Sequence, residues 1–529
     1  MHNAFLLPLL GLAALVLYKI VATIVESRQH AARAKELGCQ DAPTIPGLGF
    51  LGIQGVREMM KADGERLFPD LLVARQERAN EAFGKGKVCG TYKFHTLGQT
   101  QYFTSDPKNV QHMLAHQFAD FDLGEARRGN MIRTLGDGIF VQDGKAWEHS
   151  RALLRPNFVR EQVSDLELEE RHVQNLMQVL PAQPDGWTAE TTIQTLFFRL
   201  TIDSACEFLF GESVDSQLAE SKTPGIGSGK KDELAFSQNF DAAQRHMAQG
   251  FRLADLYWLS NPAAYKENNK IVNDFISHYV DLALQRRSQA KKAEEGKHYV
   301  FLEALAEQTQ DPVELRAQLL NILLAGRDTT ASLLSWLFHE LLRHPETFAK
   351  LRAAILADFG PYADPRDITF ATLKSCQPLQ HCLAETNRLW PVVPGNARRS
   401  NKATTLPRGG GADGQSPIFI PAQTDVNYAI HVIHRRRDLW GEDAAEFRPE
   451  RWVGRKAGWE YLPFNGGPRI CIGQQFALTE ASYVTVRLLQ RFDAIEASAA
   501  ELAGPVTSNL TLTNCPGRPV RLRLHEAAA

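Results

Sequence analysis

Phe464-Asn465-Gly466-Gly467-Pro468-Arg469-Ile470-Cys471-Ile472-Gly473 places one cysteine in a tight, glycine-flanked turn just before an apolar helical run, Phe476 to Leu489. A thiolate held in a rigid loop at a helix N-terminus suits ligation of a haem iron. The helix dipole and the loop N–H groups offset its negative charge, and the glycines let the backbone pass close under a flat macrocycle. Phe464 is placed to cover the sulfur and Arg469 to reach a haem propionate. A lone buried cysteine is usually structural, but five fixed positions at this spacing arise by chance in such a chain about once in ten thousand times.

Three further groups of residues have chemical character. Ala325-Gly326-Arg327-Asp328-Thr329-Thr330 sits at the centre of a long apolar helix, Val313 to Arg343, that Pro345 stops. Gly326 costs about 1 kcal/mol there relative to alanine. Thr329 or Thr330 can bond back to a carbonyl one turn earlier and loosen the ladder, opening a groove with room for a diatomic ligand. Read alone, the same run also suits a close helix–helix contact lined by small residues. Glu385 and Arg388 lie three apart and share a helix face, with Cys382-Leu383 and Leu389-Trp390-Pro391 around them, so the pair reads as buried and in need of further hydrogen bonds. Trp147 and Arg151 share a face of another helix, where an indole and a guanidinium can grip one carboxylate.

In order along the chain, W-x-x-x-R, A-G-R-D-T-T, E-x-x-R, P-E-R and F-x-x-G-x-R-x-C-x-G resemble the motif set of the cytochromes P450. The resemblance implies a single large haem-thiolate monooxygenase domain over 51–529, mainly α with small peripheral β-sheets. It implies haem b (iron protoporphyrin IX) with Cys471 as axial ligand and Phe464 beside it. Trp147, Arg151, Arg398 and Arg469 are then the propionate-binding residues, and Glu385, Arg388 and Arg451 a structural triad that locks the cysteine loop. Asp328 and Thr329 become the catalytic pair, Thr329 bonding dioxygen at the iron and Asp328 relaying protons. It also implies an NADPH–cytochrome P450 reductase as electron donor, with cytochrome b5 as a possible second partner, and O2 and a hydrophobic small molecule as substrates.

Finer detail resembles the fungal microsomal cytochromes P450 that hydroxylate n-alkanes and fatty acids at or near the chain end. It lies in Leu135-Gly136-Asp137-Gly138-Ile139-Phe140, W-E-H-S-R-A-x-L-R-P ending at Pro156, the arginine in A-G-R-D-T-T, Leu406 to Gly411, and His434-Arg435-Arg436. Relatives of that subgroup also tailor polyketides and terpenoids, which is the alternative substrate class. By the same resemblance the pocket draws on Phe118–Phe140, Leu323 to Thr330, Val392–Val393 and Leu510–Leu512. A haem- or lipid-binding membrane protein without turnover is the reading from another class; the intact Asp328-Thr329 pair argues against it.

The elements that must position these residues are mostly helical. Helical periodicity runs from about Asn109 to Gln490, with examples at Thr191–Leu209, Lys270–Arg287, Val313–Arg343 and Phe370–Trp390. Strand-like stretches are Thr91–Leu97, Pro417–Ile420 and Pro519–Leu524. Arg408-Gly409-Gly410-Gly411 reads as a hairpin excursion. Gly225 to Lys230 lacks the G-x-x-x-x-G-K-[ST] spacing of a phosphate loop and has no strand before it, so it reads as a flexible linker.

Ala4 to Val25 is almost wholly apolar. Its 22 residues span about 33 Å as a helix, enough for a bilayer core, and Lys19 lies where it can snorkel. No Lys or Arg precedes the run, against a cleaved signal peptide. Arg28, Arg33 and Lys35 follow and keep the remainder cytosolic. The expectation is a transmembrane anchor over 1–27, a linker over 28–50 with a stiff Pro43-Thr44-Ile45-Pro46-Gly47 hinge, and a single pass in the endoplasmic reticulum membrane. A net charge of −2 argues against a nucleic-acid binder. The seven cysteines are scattered, odd in number and without a C-x-x-C pair, against a disulfide framework or a sulfur-rich zinc site.

Overall fold

The structure, a computed structural model, describes residues 3–159, 166–218, 231–289 and 299–528; inside helices, side chains are described except at 3–10, 12, 13, 16, 20, 50, 231–234 and 286–289. The glycine-rich run Gly225 to Lys230 lies outside the described residues. The chain divides into two compact units. One comprises Met1–Gly55, Ala74–Asp122 and Ala397–Tyr428; the other Val56–Val73, Leu123–Asn396 and Ala429–Ala529.

In the first unit, strands Thr91–Thr96 and Gln99–Thr104 form an antiparallel hairpin with Thr91 opposite Thr104. Asp425–Tyr428 then joins in parallel, with Tyr102 opposite Val426. Asn396–Ser400 and Phe121–Asp122 complete a five-stranded sheet. Thr404–Gly410 and Ser416–Ile420 pair across a turn, the hairpin expected at the three glycines. The N-terminal helix, Asn3–Glu36, ends against this hairpin, with the His30 and Phe419 rings 5.6 Å apart. The proline-rich segment is tied to the sheet: Lys93 N–H donates to the Pro43 carbonyl at 2.8 Å and Ile45 N–H to the Lys93 carbonyl at 3.1 Å. Among the described residues no helix is long and apolar enough to cross a membrane. The anchor expected over 1–27 includes Met1, His2 and the side chains at 3–10, 12, 13, 16 and 20, which lie outside the described set.

The second unit is built round the helix Pro312–Arg343. Asp311 caps it, accepting from Val313 N–H at 2.9 Å, and Pro312 starts it where no N–H is needed. This central helix packs along Ile193–Phe210 and against Gln474–Arg491, the helix that follows Cys471. Leu334, Leu337, Phe338 and Leu341 are fully buried there with Phe197, Leu200 and Val484. The expected helix Phe370–Trp390 is two helices, Phe370–Ser375 and Gln377–Leu389. Pro378 lacks an N–H to continue the ladder, so Cys376 turns out to φ −67 and ψ 90 and a new helix starts.

Candidate active site

The cysteine loop is held by its own backbone. Cys471 N–H donates to the Phe464 carbonyl at 3.0 Å, and Asn465 and Gly467 sit at φ 63 and 70, the left-handed region that glycine tolerates best. At Gly466 a Cβ would come within 2.7 Å of the Trp459 ring. Cys471 is densely surrounded by protein atoms and yet keeps accessible surface. Burial pushes its thiol above the ordinary value, while the Gly473 N–H and the Arg151 charge pull the other way. Half-buried Phe464 lies seven residues before it in the same loop.

Helix Gly144–Leu154 brings its basic partners to the loop. Arg151 donates to the Ile470 carbonyl at 3.0 Å. The buried Trp147 ring has the Arg469 guanidinium 4.4 Å and the Arg151 guanidinium 5.8 Å from its centroid. Arg469 also donates to Asp143 Oδ1 at 2.7 Å and to the Gln142 carbonyl at 2.9 Å. Asp143 in turn accepts the Leu123 N–H at 2.9 Å. This aspartate escaped the sequence reading, since it stands 326 residues from its arginine. Arg398 lies in the other unit, on strand Asn396–Ser400, buried, with the Tyr428 ring 6.0 Å from its guanidinium.

The central helix runs unbroken through Ala325–Thr330, so the expected groove is a lack of side chains rather than a break in the ladder. Thr329 Oγ1 donates back to the Ala325 carbonyl at 2.6 Å, and Thr201 donates to the Arg327 carbonyl at 2.7 Å. Ala325, Gly326 and Thr329 keep accessible surface, whereas Thr330 is 1 % exposed and faces Glu480. A Cβ on Gly326 would meet only Ala205, at 3.6 Å, an ordinary contact. Asp328 is buried, and burial pushes its carboxyl up to about 6; Arg327 pulls it down and Asp241 pushes it up. One turn before this segment, Asn321 accepts the Phe140 N–H and donates to the Leu135 carbonyl, both at 3.0 Å. A Cβ at Gly138 would fall 2.4 Å from Asn321 Nδ2. The loop Leu135 to Phe140 needs that glycine to close on the central helix.

The expected triad is present. Arg388 grips Glu385 with two bonds of 2.8 Å, and Arg451 adds a third at 3.2 Å. Arg448 N–H and Trp452 Nε1 complete the shell at 3.0 Å each. Arg388 also donates to the carbonyls of His434, Ala444 and Glu446. The link to the cysteine loop is His434: Nε2 accepts the Leu462 N–H at 2.9 Å, so the proton sits on Nδ1, 3.1 Å from the Arg388 carbonyl. Burial, with Arg388 beside it, pushes this imidazole down to about 3, which keeps it neutral. Tyr461 ties the same segment to the Ala384 carbonyl at 3.0 Å.

A mostly helical architecture with a cysteine loop, a basic cradle and a small-residue segment on a central helix defines a haem-thiolate enzyme. The cytochrome P450 family model matches residues 79–505. Cytochrome P450 monooxygenase g430 of a Fusarium species is 50% identical, over 96% of this chain and 88% of its own. Cytochrome P450 52A1 of Candida tropicalis is 50% identical over 83% and 81%. Cytochrome P450 monooxygenase alt2 of Alternaria solani is 42% identical over 97% and 96%. The crystal structure of the cytochrome P450DA heme domain superposes with a TM-score of 0.70 at 20% identity, over 92% of this chain and 96% of that one, and so shares the fold. The chain belongs to the cytochrome P450 family: it is a haem-dependent monooxygenase that draws electrons from a redox partner and uses O2 and a hydrophobic substrate. The residues present fit haem b. An accessible sulfur whose ionisation burial opposes needs a cation beside it, which an iron supplies, and Trp147, Arg151 and Arg469 are donors suited to carboxylates.

Proposed function

We propose that this protein is a membrane-bound monooxygenase that hydroxylates n-alkanes or fatty acids at or near the chain end, with electrons from an NADPH–cytochrome P450 reductase. Haem b, when bound, supplies the iron chemistry that activates O2 for insertion of one oxygen atom into an unactivated C–H bond. Cys471 would hold the haem iron, and the Gly473 N–H and Arg151 would moderate the charge on its sulfur. Trp147, Arg151, Arg469 and Arg398 hold the propionates. Asp328, buried and kept close to neutral pH by its surroundings, stores and passes a proton. Thr329 presents its hydroxyl on the accessible side of the central helix and directs that proton. Glu385, Arg388 and Arg451 hold the loop that carries Cys471.

The observation that carries the site reading is Cys471 with accessible surface beside Arg151 and close to the shared Trp147–Arg469 stack. The subgroup motifs and the 50% identity to cytochrome P450 52A1 support the substrate class. For the membrane, Leu15, Leu17, Tyr18 and Val21 are all more than half exposed on the N-terminal helix, and Arg28, Arg33 and Lys35 follow them. Exposed apolar side chains in such a row call for a non-aqueous neighbour, consistent with a single pass in the endoplasmic reticulum membrane and a cytosolic catalytic domain.

The test is a Cys471→Ser variant beside wild type in microsomes, fed fatty acids, n-alkanes and, as the competing class, polyketide and terpenoid substrates. Wild type should show the thiolate-type Soret band of the reduced, CO-bound form and give terminal or near-terminal alcohols. The variant should lose both band and product. A normal band in Cys471→Ser would mean the wrong cysteine; product only from a polyketide or terpenoid would overturn the substrate class. Deleting residues 1–27 should release much of the protein from membranes with haem intact.

A further inference from the structure

Arg327 interrupts the small-residue run of the central helix, and its guanidinium is contested. One terminal nitrogen lies 3.3 Å from Asp328 Oδ1, and the same nitrogen hydrogen-bonds Asp241 on helix Lys231–Arg252. The other reaches Ser237 of that helix at 3.4 Å. Arg327 and Asp328 side chains are 5% exposed, but Asp241 is 43% exposed. Asp328 Oδ1 has no hydrogen-bond partner. The cation therefore stands between a buried carboxyl and one that meets solvent, and it is bonded to the latter.

We propose that Asp241 is a positioning residue for Asp328: by holding the Arg327 guanidinium it prevents that cation from locking Asp328 in the ionised form. The proposal rests on the reading of Asp328 as proton relay. A buried carboxylate in full contact with a guanidinium stays ionised, because the attraction is strong where water is excluded. Such a carboxylate accepts protons poorly. Drawing Arg327 toward the neighbouring helix leaves it 3.3 Å from Asp328 Oδ1 without a hydrogen bond, which weakens that hold. Burial is the main upward influence on Asp328, with Arg327 and the Gln244 amide opposing it and Asp241 reinforcing it. The groups facing the cluster are few. The central helix supplies Arg327, helix Lys231–Arg252 supplies Asp241 and the neutral Gln244, and strand Asn514–Pro516 and helix Ile193–Phe210 supply the thiols Cys515 and Cys206. Glu480 of helix Gln474–Arg491 faces Thr330 instead. Arg327 and Asp241 are thus the charges that decide the matter. Placement of helix Lys231–Arg252 then sets the acidity of the relay acid.

The experiment is an infrared titration of the buried carboxyl band in ferric, substrate-free holoprotein, assigned to Asp328 by its loss in Asp328→Asn. Asp241→Asn should move the titration to lower pH by about one unit, a tenfold loss of proton affinity. Asp241→Glu should restore it. In an Arg327→Gln background the same Asp241→Asn change should move it much less, since only direct repulsion between the two carboxylates is then removed. Asp241 is partly exposed, so Asp241→Ser serves the same arm should the asparagine variant fail to accumulate. An unshifted titration, or equal shifts with and without Arg327, would overturn the positioning role. Product formed per NADPH in Asp328→Asn is a separate arm: wild-type coupling there would overturn the relay reading while leaving the infrared result to stand.

Discussion

Two buried polar clusters in the second unit are built on opposite principles. Glu385 accepts bonds from Arg388 Nε and terminal nitrogen, Arg451, Trp452 and the Arg448 N–H. Both Glu385 and Arg388 are 0% exposed, and no side-chain atom of the triad is left without a partner. Around Ala325–Thr330 partners are sparser: among the described residues Asp328 Oδ1 has only the Arg327 guanidinium, at 3.3 Å, and Arg327 Nε is buried without a hydrogen-bond partner. An unpaired buried polar atom costs on the order of 1–3 kcal/mol. The closed cluster fixes geometry; the open one keeps its groups able to change protonation. The proposed proton chemistry thus falls where satisfaction is incomplete, and the structural network where it is complete.

Breaking the closed cluster should have the largest effect. Among the described residues, Glu385→Gln removes the only carboxylate bonded to the buried Arg388 and leaves Arg451 with Asp443 alone, a loss on the order of 3–5 kcal/mol. The cysteine loop should loosen with it, through His434 and Leu462. Holoprotein yield and the denaturant midpoint measure this; near wild-type values for both would show that the network is dispensable.

An intermediate effect is expected from Glu480, on the open side. Burial pushes its carboxyl up from the ordinary 4.5 to about 7. Between those values the folded protein keeps a proton that the unfolded chain has lost, so stability falls as pH rises through that window. Glu480→Gln removes this slope. It should stabilise the protein at pH 8 by on the order of 2 kcal/mol and change little at pH 5. His434 acts with the opposite sign: its folded value near 3 makes the unfolded chain bind the extra proton, so its share of stability is lost as pH falls below about 6.5. Equal effects of Glu480→Gln at both pH values would contradict the account.

The smallest effect tests whether the open cluster gives up stability for function. A Cβ at Gly326 meets only Ala205 at 3.6 Å, so Gly326→Ala should fold normally and gain up to about 1 kcal/mol, with altered turnover. A melting temperature lowered by this substitution would mean that packing, not chemistry, demands the glycine.

The chemistry in this chain was legible where its residues are neighbours in sequence. The cysteine loop, Trp147 with Arg151, Glu385 with Arg388, and Ala325–Thr330 each lie within ten residues, and periodicity placed the central helix to within one residue of Pro312–Arg343. What escaped joins distant segments. Arg327 and Asp241 are 86 residues apart, Arg388 and His434 46, and Arg469 and Asp143 326; only tertiary packing brings such pairs together. The split of Phe370–Trp390 was missed for a local reason: apolar periodicity continues across Pro378 although the hydrogen-bond ladder cannot. The closeness of Gly466 to Trp459 has no signature in sequence either.

The central claim, that the open cluster delivers protons through Thr329, is tested most directly by product formed per NADPH consumed in Thr329→Ala, with peroxide assayed alongside. Thr329 alone of the two threonines has accessible surface, while Thr330 is 1 % exposed. The ratio should fall sharply while NADPH consumption continues, peroxide rises and the reduced CO spectrum stays normal. Coupling at the wild-type level in Thr329→Ala, with collapse in Thr330→Ala, would contradict it.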